Sequence, residues 1–298
     1  MGLEIKNIQK EYGDREVLSN LTLSCVKGEI IGLLGLNGAG KTTLMKILTG
    51  INSKWEGNIS YNGIDLKKNL KKVQQLTGYL PENNPLYKDL FVSEYLFFVA
   101  KLYKIKNPNI EQIILDTGLN EYKNYKIEKL SKGFKQRVGL AASIIHNPEI
   151  LILDEPTTGL DPSQIMEVRN LIKKLSEEKI IIFSSHILQE IEAICTRVVL
   201  LHKGEIILNS PIENLKNNDQ QIIKVTFDYR VETEALEKIS FVESVKNTYD
   251  FEYEIKFKTK IDQRSKVFDF AHDNKLKIIS LNHKNETLEE MFSALTAN

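Results

Sequence analysis

The stretch Gly35-Leu36-Asn37-Gly38-Ala39-Gly40-Lys41-Thr42-Thr43 constrains the fold of this chain more than any other. It matches G-x-x-x-x-G-K-[ST], and it sits between an apolar run, Glu29 to Leu34, and a helical stretch, Leu44 to Leu48. In a strand–loop–helix of this kind, glycines let the backbone approach an anion. Successive N–H groups and the positive end of the helix then face it. The spacing implies an α/β fold built around a nucleoside triphosphate with Mg²⁺. Gly35, Asn37, Gly38, Ala39 and Gly40 would wrap the phosphates, and Lys41 would reach the β- and γ-phosphates. The Thr42 hydroxyl would ligate Mg²⁺, and Thr43 would lie near the α-phosphate.

Partners for that loop lie downstream. Ile150-Leu151-Ile152-Leu153 is apolar throughout, as in a strand covered on both faces, and it ends in Asp154-Glu155. Two carboxylates at a strand's end have separate tasks available. Asp154 can hold Mg²⁺, directly or through water, and Glu155 can orient or deprotonate an attacking water. A second buried run, Ile180 to Phe183, leads into Ser184-Ser185-His186, which brings His186 to the same end of a parallel sheet, within reach of the γ-phosphate. Ser131 caps a strong helix that stops at Asn147-Pro148; its N-terminus is either a second anion site or a plain helix start. Asp161-Pro162 begins another helix. Tyr12, in Lys10-Glu11-Tyr12-Gly13-Asp14, either packs internally or stacks on a purine base.

Strands are expected at Leu3 to Lys10, Val17 to Val26, Gly57 to Gly63 and Leu76 to Leu80, the last running into the loop Pro81 to Pro85. Strand signals vanish between Phe91 and Ser131, where a helical insert is expected, about 83–145. Val198 to Leu208 reads as a hairpin about Lys203-Gly204. Residues 1–216 form the expected first domain and 217–298 a second. The second runs Gln221 to Phe227 (strand), Thr233 to Ile239 (helix), Val242 to Asn247 and Tyr253 to Lys258 (strands), Arg264 to Asn274 (helix), and Leu276 to Leu281 (strand), closing on a helix at Thr287 to Leu295. That order suggests a small α+β domain of the ferredoxin-like kind.

Composition narrows the partners. Lys+Arg and Asp+Glu balance at 40 each, which argues against the basic stripe of a nucleic-acid binder. Cys25 and Cys195 lie in apolar surroundings and read as buried thiols, since two cysteines make neither a disulfide framework nor a zinc site. No run approaches the ~18–20 apolar residues needed to cross a bilayer, and the N-terminus lacks a signal peptide's apolar core, so the chain is expected to be soluble and cytoplasmic.

Taken together, the phosphate loop Gly35 to Thr43, the stretch Leu130-Ser131-Lys132-Gly133-Phe134, the strand end Ile150 to Glu155, the loop Gly159-Leu160-Asp161 and His186 resemble the ATP-binding subunit of an ABC transporter, from Leu3 to about Leu215. The resemblance implies a phosphate-loop ATPase domain with an antiparallel β subdomain and a helical insert. It implies ATP and Mg²⁺ as ligands, Lys41, Glu155 and His186 as catalytic residues, and Tyr12 as the adenine-stacking aromatic. Ser131 and Gly133 would meet the γ-phosphate held by a second protomer in a head-to-tail dimer, most simply a homodimer. Hydrolysis would drive a separate integral membrane permease from the cytoplasmic face of the inner membrane, without nucleic acid. The segment Glu82 to Tyr103 would contact that permease, and Tyr95, Phe97, Phe98 and Tyr103 either form part of a groove for it or belong to the insert's own core. Soluble relatives acting in translation or DNA repair carry two nucleotide domains or a long coiled coil; this chain has neither a second motif set nor sustained heptads.

Three departures stand out. Lys132 and Phe134 replace a Gly and the Gln of the usual Leu-Ser-Gly-Gly-Gln signature, Glu82 stands where the family has a metal-side Gln, and Leu36 replaces a common Pro. Glu82 can still ligate Mg²⁺ but cannot donate a hydrogen bond. The wording of Gly78 to Tyr87 and of Leu130 to Arg137 is similar to the gliding-motility-associated ATP-binding subunit of Bacteroidetes-type bacteria, related to exporters of the second ABC type.

Overall fold

The computed structural model describes residues 2–216, 221–259, 261–284 and 292. The chain divides into two units, Met1–Ile212 and Glu213–Asn298. The first begins with β1 (Gly2–Tyr12) and β2 (Arg15–Val26), an antiparallel hairpin that turns Leu3, Ile5, Ile8, Leu18, Leu21, Leu23 and Cys25 inward. β3 (Ile30–Leu34) is buried along its whole length and leads through the glycine-rich loop into α1 (Lys41–Leu48). β4 (Glu56–Tyr61) and β5 (Ile64–Asp65) join the hairpin in an antiparallel sheet of order β2-β1-β4-β5. Next come α2 (Leu70–Leu76) and β6 (Thr77–Leu80). The helical insert comprises α3 (Val92–Leu102), α4 (Ile110–Asp116), two 3-10 turns at Asn120–Tyr122 and Ile127–Lys129, and α5 (Lys132–Ile144). β7 (Ile150–Asp154), α6 (Pro162–Ser176), β8 (Ile180–Ser184), α7 (Leu188–Ile194) and the hairpin of β9 (Arg197–His202) and β10 (Glu205–Pro211) follow.

The larger sheet has the order β10-β9-β3-β8-β7-β6, and only β10 runs antiparallel to its neighbour. Its central strands are unbroken apolar runs because both faces are covered. Leu44, Met45, Ile47 and Leu48 of α1 pack with Ile31, Leu33, Ile150, Ile152, Ile180 and Ile182 on one face. On the other, the space above Gly32 is filled by Ile191 of α7. Each such fully buried side chain contributes about 1.5–3 kcal/mol relative to exposure. The Tyr61 hydroxyl donates to the Leu48 carbonyl at 2.6 Å, satisfying one of the free carbonyls at the end of α1 and tying that helix to the antiparallel sheet. The helix that carries the phosphate loop is thus fixed at its far end.

Ser131 caps α5 by accepting from the Phe134 amide, and Asp161 caps α6 ahead of Pro162, both as the sequence predicts. The four aromatics of this segment divide between the two readings: Tyr95 lies in the insert's own core with Val92, Leu96, Ala100, Ile114 and Leu119, whereas Phe97, Phe98 and Tyr103 are exposed. Cys25 and Cys195 are free and buried; burial pushes the Cys25 thiol up to about 12 and the Cys195 thiol upward as well, which leaves both unreactive.

α8 (Ile212–Lys216) spans the division between units. The second unit contains β11 (Gln221–Phe227), α9 (Thr233–Leu236), β12 (Val242–Tyr249), β13 (Glu252–Phe257), α10 (Arg264–Asp273) and β14 (Ile278–Lys284). All strand pairs are antiparallel, in the order β12-β13-β11-β14. Alternate residues Ile223, Val225, Phe227, Tyr253, Ile255 and Phe257 face Leu236, Val267 and Ala271 of the helices. The helix expected at Thr287 to Leu295 lies outside the described residues except at position 292.

Candidate functional site

The loop, the ends of β7 and β8 and the tip of the first hairpin converge on one cavity of about 640 Å³. Tyr12, Asn37, Gly38, Gly40, Lys41, Thr42, Thr43, Glu82, Asp154, Glu155 and His186 all line it. Gly40 caps α1 at a φ of 108°, and a Cβ there would lie 2.9 Å from the Val17 carbonyl oxygen, so the turn into the helix requires glycine. Gly35 and Ala39 stand behind the cavity. A Cβ on Gly35 would strike the Leu201 carbonyl at 2.5 Å, and Ala39 belongs to the hydrophobic core. Ser131 and Gly133 lie at the start of α5 and are not among the cavity's lining residues.

Lys41 Nζ donates to the carbonyls of Gly35 at 2.6 Å and Leu36 at 3.3 Å, which holds the ammonium across the mouth of the loop. Burial pulls the Lys41 pKa below its ordinary value, opposed by the carboxylates of Glu155, Asp154 and Glu82. Thr42 Oγ1 donates to Asp154 Oδ2 at 3.2 Å, bringing a hydroxyl and a carboxylate from distant elements together. This oxygen-only donor pair beside a phosphate loop suits Mg²⁺, which takes one or two carboxylates and completes its shell with phosphate and water. Asp154, Glu155 and Glu82 would repel a polyphosphate on their own, and a divalent cation reconciles the two. Among the described residues there is no cluster of three or more His, Cys, Asp or Glu that could hold a metal ion.

Glu155 follows β7 with a φ of 52°, a left-handed conformation uncommon for a residue with a side chain. Its backbone is held on both sides. The Glu155 N–H donates to Ser184 Oγ at 3.1 Å and to the Ser184 carbonyl at 3.3 Å, and Gln136 Nε2 donates to the Glu155 carbonyl at 3.3 Å. The turn aims the carboxylate at His186, whose Nδ1 lies 2.7 Å from Glu155 Oε2. Burial raises the Glu155 pKa; the hydrogen bond and charge of His186 oppose this, Asp154 adds to it and Lys41 opposes it. A carboxyl raised in this way is suited to take a proton from water.

Sequence reading missed Arg15, Val17 and Thr158 in the lining. Arg15 opens β2 just past the turn after Tyr12, a position whose only signal is its neighbourhood to Tyr12. Tyr12 itself is 51% exposed with its ring under Lys10 Nζ at 4.4 Å, and its hydroxyl accepts from Asn52 Nδ2 at 2.6 Å. It is therefore a surface ring, free on one side. The unusual signature residues have structural places. Phe134 packs against Tyr122 with ring centroids 3.9 Å apart and planes tilted by 35°, inside the insert, and the Lys132 side chain lies over Gly159.

A phosphate loop, a hydrogen-bonded hydroxyl–carboxylate pair and a glutamate–histidine pair in one cavity point to a nucleoside-triphosphate hydrolase of the phosphate-loop class. Comparison with known proteins narrows the class. The family model described as ABC transporter matches residues 18–158. The lantibiotic transport ATP-binding protein SrtF of Streptococcus pyogenes is 38% identical over 220 residues, covering 73% of this chain and 94% of its own. The bacitracin transport ATP-binding protein BcrA of Enterococcus faecalis is 33% identical over 306 residues, 98% of this chain and 96% of its own. A solved ATP-binding subunit of an ABC transporter superposes with a TM-score of 0.67 at 29% identity, covering 72% of this chain and 92% of that one. The chain belongs to the ATP-binding subunits of ABC transporters, an ATP-hydrolysing family.

Proposed function

We propose that this chain binds and hydrolyses ATP to energise a separate membrane permease, in an exporter related to those that carry lantibiotics and bacitracin. The observation that carries this is the convergence of Lys41, the Thr42–Asp154 pair and the Glu155–His186 pair on one cavity. Asn37, Gly38, Gly40, Lys41 and Thr43 bind the phosphates, Gly35 and Ala39 shape the loop from behind, and Tyr12 takes the adenine. Thr42, Asp154 and Glu82 hold Mg²⁺, which, when bound, neutralises charge on the β- and γ-phosphates. Glu155 orients and deprotonates the attacking water, and His186 steadies that carboxylate.

Ser131 and Gly133 act on the ATP of a partner protomer, so two ATPs join a head-to-tail homodimer. That neither residue lines the chain's own cavity supports this. The permease docks in a groove of about 930 Å³ whose lining includes Tyr79, Pro85, Tyr95, Val99, Leu102 and Tyr103 together with Lys46, Lys71 and Lys104. No carboxylate lines it among the described residues, which favours an acidic permease segment. A peripheral position on the cytoplasmic face of the inner membrane fits such a partner; no helix among the described residues is long and apolar enough to cross a membrane. We read residues 217–298 as a ferredoxin-like accessory domain, supported by the β-α-β-β-α-β order and the strand order β12-β13-β11-β14. Within the exporter group we assign the chain to the gliding-motility-associated branch, on the wording of Gly78 to Tyr87 and Leu130 to Arg137 alone.

Tagged Glu155→Gln protein, purified from solubilised host membranes with ATP and Mg²⁺, tests the function. It should elute as a dimer together with an integral membrane protein. A monomer under saturating ATP and Mg²⁺, or co-purification with ribosomes or repair factors alone, would sink it.

A further inference from the structure

β8 ends on Ser184, which pairs across the sheet with Asp154 at the end of β7. Ser184 is 0% exposed and Asp154 2%. The Ser184 hydroxyl donates to Asp154 Oδ1 at 2.7 Å and accepts from the Glu155 N–H at 3.1 Å. The direction of both bonds is fixed, because a backbone N–H only donates and an ionised carboxylate only accepts. One hydroxyl therefore holds two neighbouring residues. It occupies Asp154 Oδ1, which leaves Oδ2 turned to Thr42 Oγ1 at 3.2 Å. It also pins the amide of Glu155, whose φ of 52° needs outside support. A serine that merely filled the end of a buried strand would need neither bond, and alanine would serve equally well there.

We propose that Ser184 is a positioning residue for ATP hydrolysis, aligning Asp154 toward the metal side of the cavity while holding the backbone of Glu155 in its turned conformation. The inference rests on Asp154 and Glu155 having the roles proposed above. Its chemistry is that of a residue behind a metal ligand. Removing the hydroxyl frees the carboxylate to rotate about its side-chain torsions and leaves one buried oxygen unpaired.

The test uses the full chain as wild type, Ser184→Ala and Ser184→Thr. Mn²⁺ serves as a paramagnetic probe in place of Mg²⁺, titrated by EPR with adenylyl imidodiphosphate present. A fluorescent ATP analogue is titrated separately in EDTA. Ser184→Ala should bind the analogue within about two-fold of wild type while losing about ten-fold or more in Mn²⁺ affinity, and its kcat should fall in parallel. Ser184→Thr keeps the hydroxyl and should recover both. Equal Mn²⁺ affinity in wild type and Ser184→Ala overturns the inference. So does a parallel loss of Mn²⁺ and metal-free nucleotide binding, which marks a purely structural role. If wild type itself takes up no Mn²⁺ with the nucleotide, the assignment of Asp154 fails, and the Ser184 inference fails with it for that separate reason.

Discussion

Gly139→Ala should destabilise the first unit although it replaces glycine by alanine in the middle of a helix. Helix propensity alone predicts a gain of about 1 kcal/mol. Gly139, in the interior of α5, is where the loop after β6 comes closest to that helix. A Cβ there would lie 2.2 Å from Asn84 Oδ1, 2.5 Å from Nδ2 and 2.6 Å from Cγ. The amide of Asn84 would have to leave its seat, breaking its bonds to the Lys135 carbonyl at 2.7 Å and to Gln136 Oε1 at 3.4 Å. The shorter bond is worth about 1 kcal/mol and the longer one less. Overpacking adds about 1–3 kcal/mol. Set against the propensity gain, the net loss is roughly 2 kcal/mol, which for a unit of this size lowers Tm by roughly 4–8 °C. Asn84 has a φ of 35°, which glycine adopts freely, so Asn84→Gly removes the obstruction without straining the loop. In that background Gly139→Ala should become neutral or stabilising by up to about 1 kcal/mol. Thermal melts of the four proteins of the cycle measure the sign directly. A Tm that rises for Gly139→Ala in the otherwise unaltered chain would refute the reasoning. The contact also bears on activity, since Asn84 is two residues from Glu82 and Gln136 reaches the Glu155 carbonyl at 3.3 Å.

Two further outcomes follow from the site. Because burial raises the Glu155 carboxyl and a general base works ionised, kcat should fall with decreasing pH along a limb above the ordinary glutamate range. His186→Ala removes two influences that lower that pKa and should move the limb to higher pH; a limb unmoved by His186→Ala contradicts the pairing. Tyr12→Ala should weaken ATP binding by roughly 1–3 kcal/mol, with Tyr12→Trp retaining affinity, as judged by fluorescence titration. An equal loss for inorganic triphosphate, which has no base, would rule out stacking as the cause.

How much was legible in the sequence follows from the range of the interactions involved. The phosphate loop, the caps Ser131 and Asp161 and the carboxylates at the end of β7 are set by residues within a few positions of one another. Backbone conformation and short-range hydrogen bonds decide them, so their spacing is their signature. The buried runs of β3, β7 and β8 are equally plain, because a strand covered on both faces is apolar at nearly every position. Tyr95 was ambiguous for the opposite reason. Helical spacing in α3 distinguishes faces but does not say which face meets the core when aromatics occupy both.

Contacts across long stretches of chain have no such local signature. Asp154 and Ser184 are 30 positions apart, Asn84 and Lys135 are 51 apart, and Thr42 and Asp154 are 112 apart. A serine after a strand looks the same whether its hydroxyl faces solvent or holds a buried carboxylate. A glycine in a helix looks the same whether or not a side chain from another loop fills its place. Local motifs specify which groups the chain brings to a nucleotide. The parallel register of β7 and β8 and the close approach of α5 to the loop after β6 decided how those groups are held, because hydrogen bonds and packing act over a few ångströms and take no account of sequence distance.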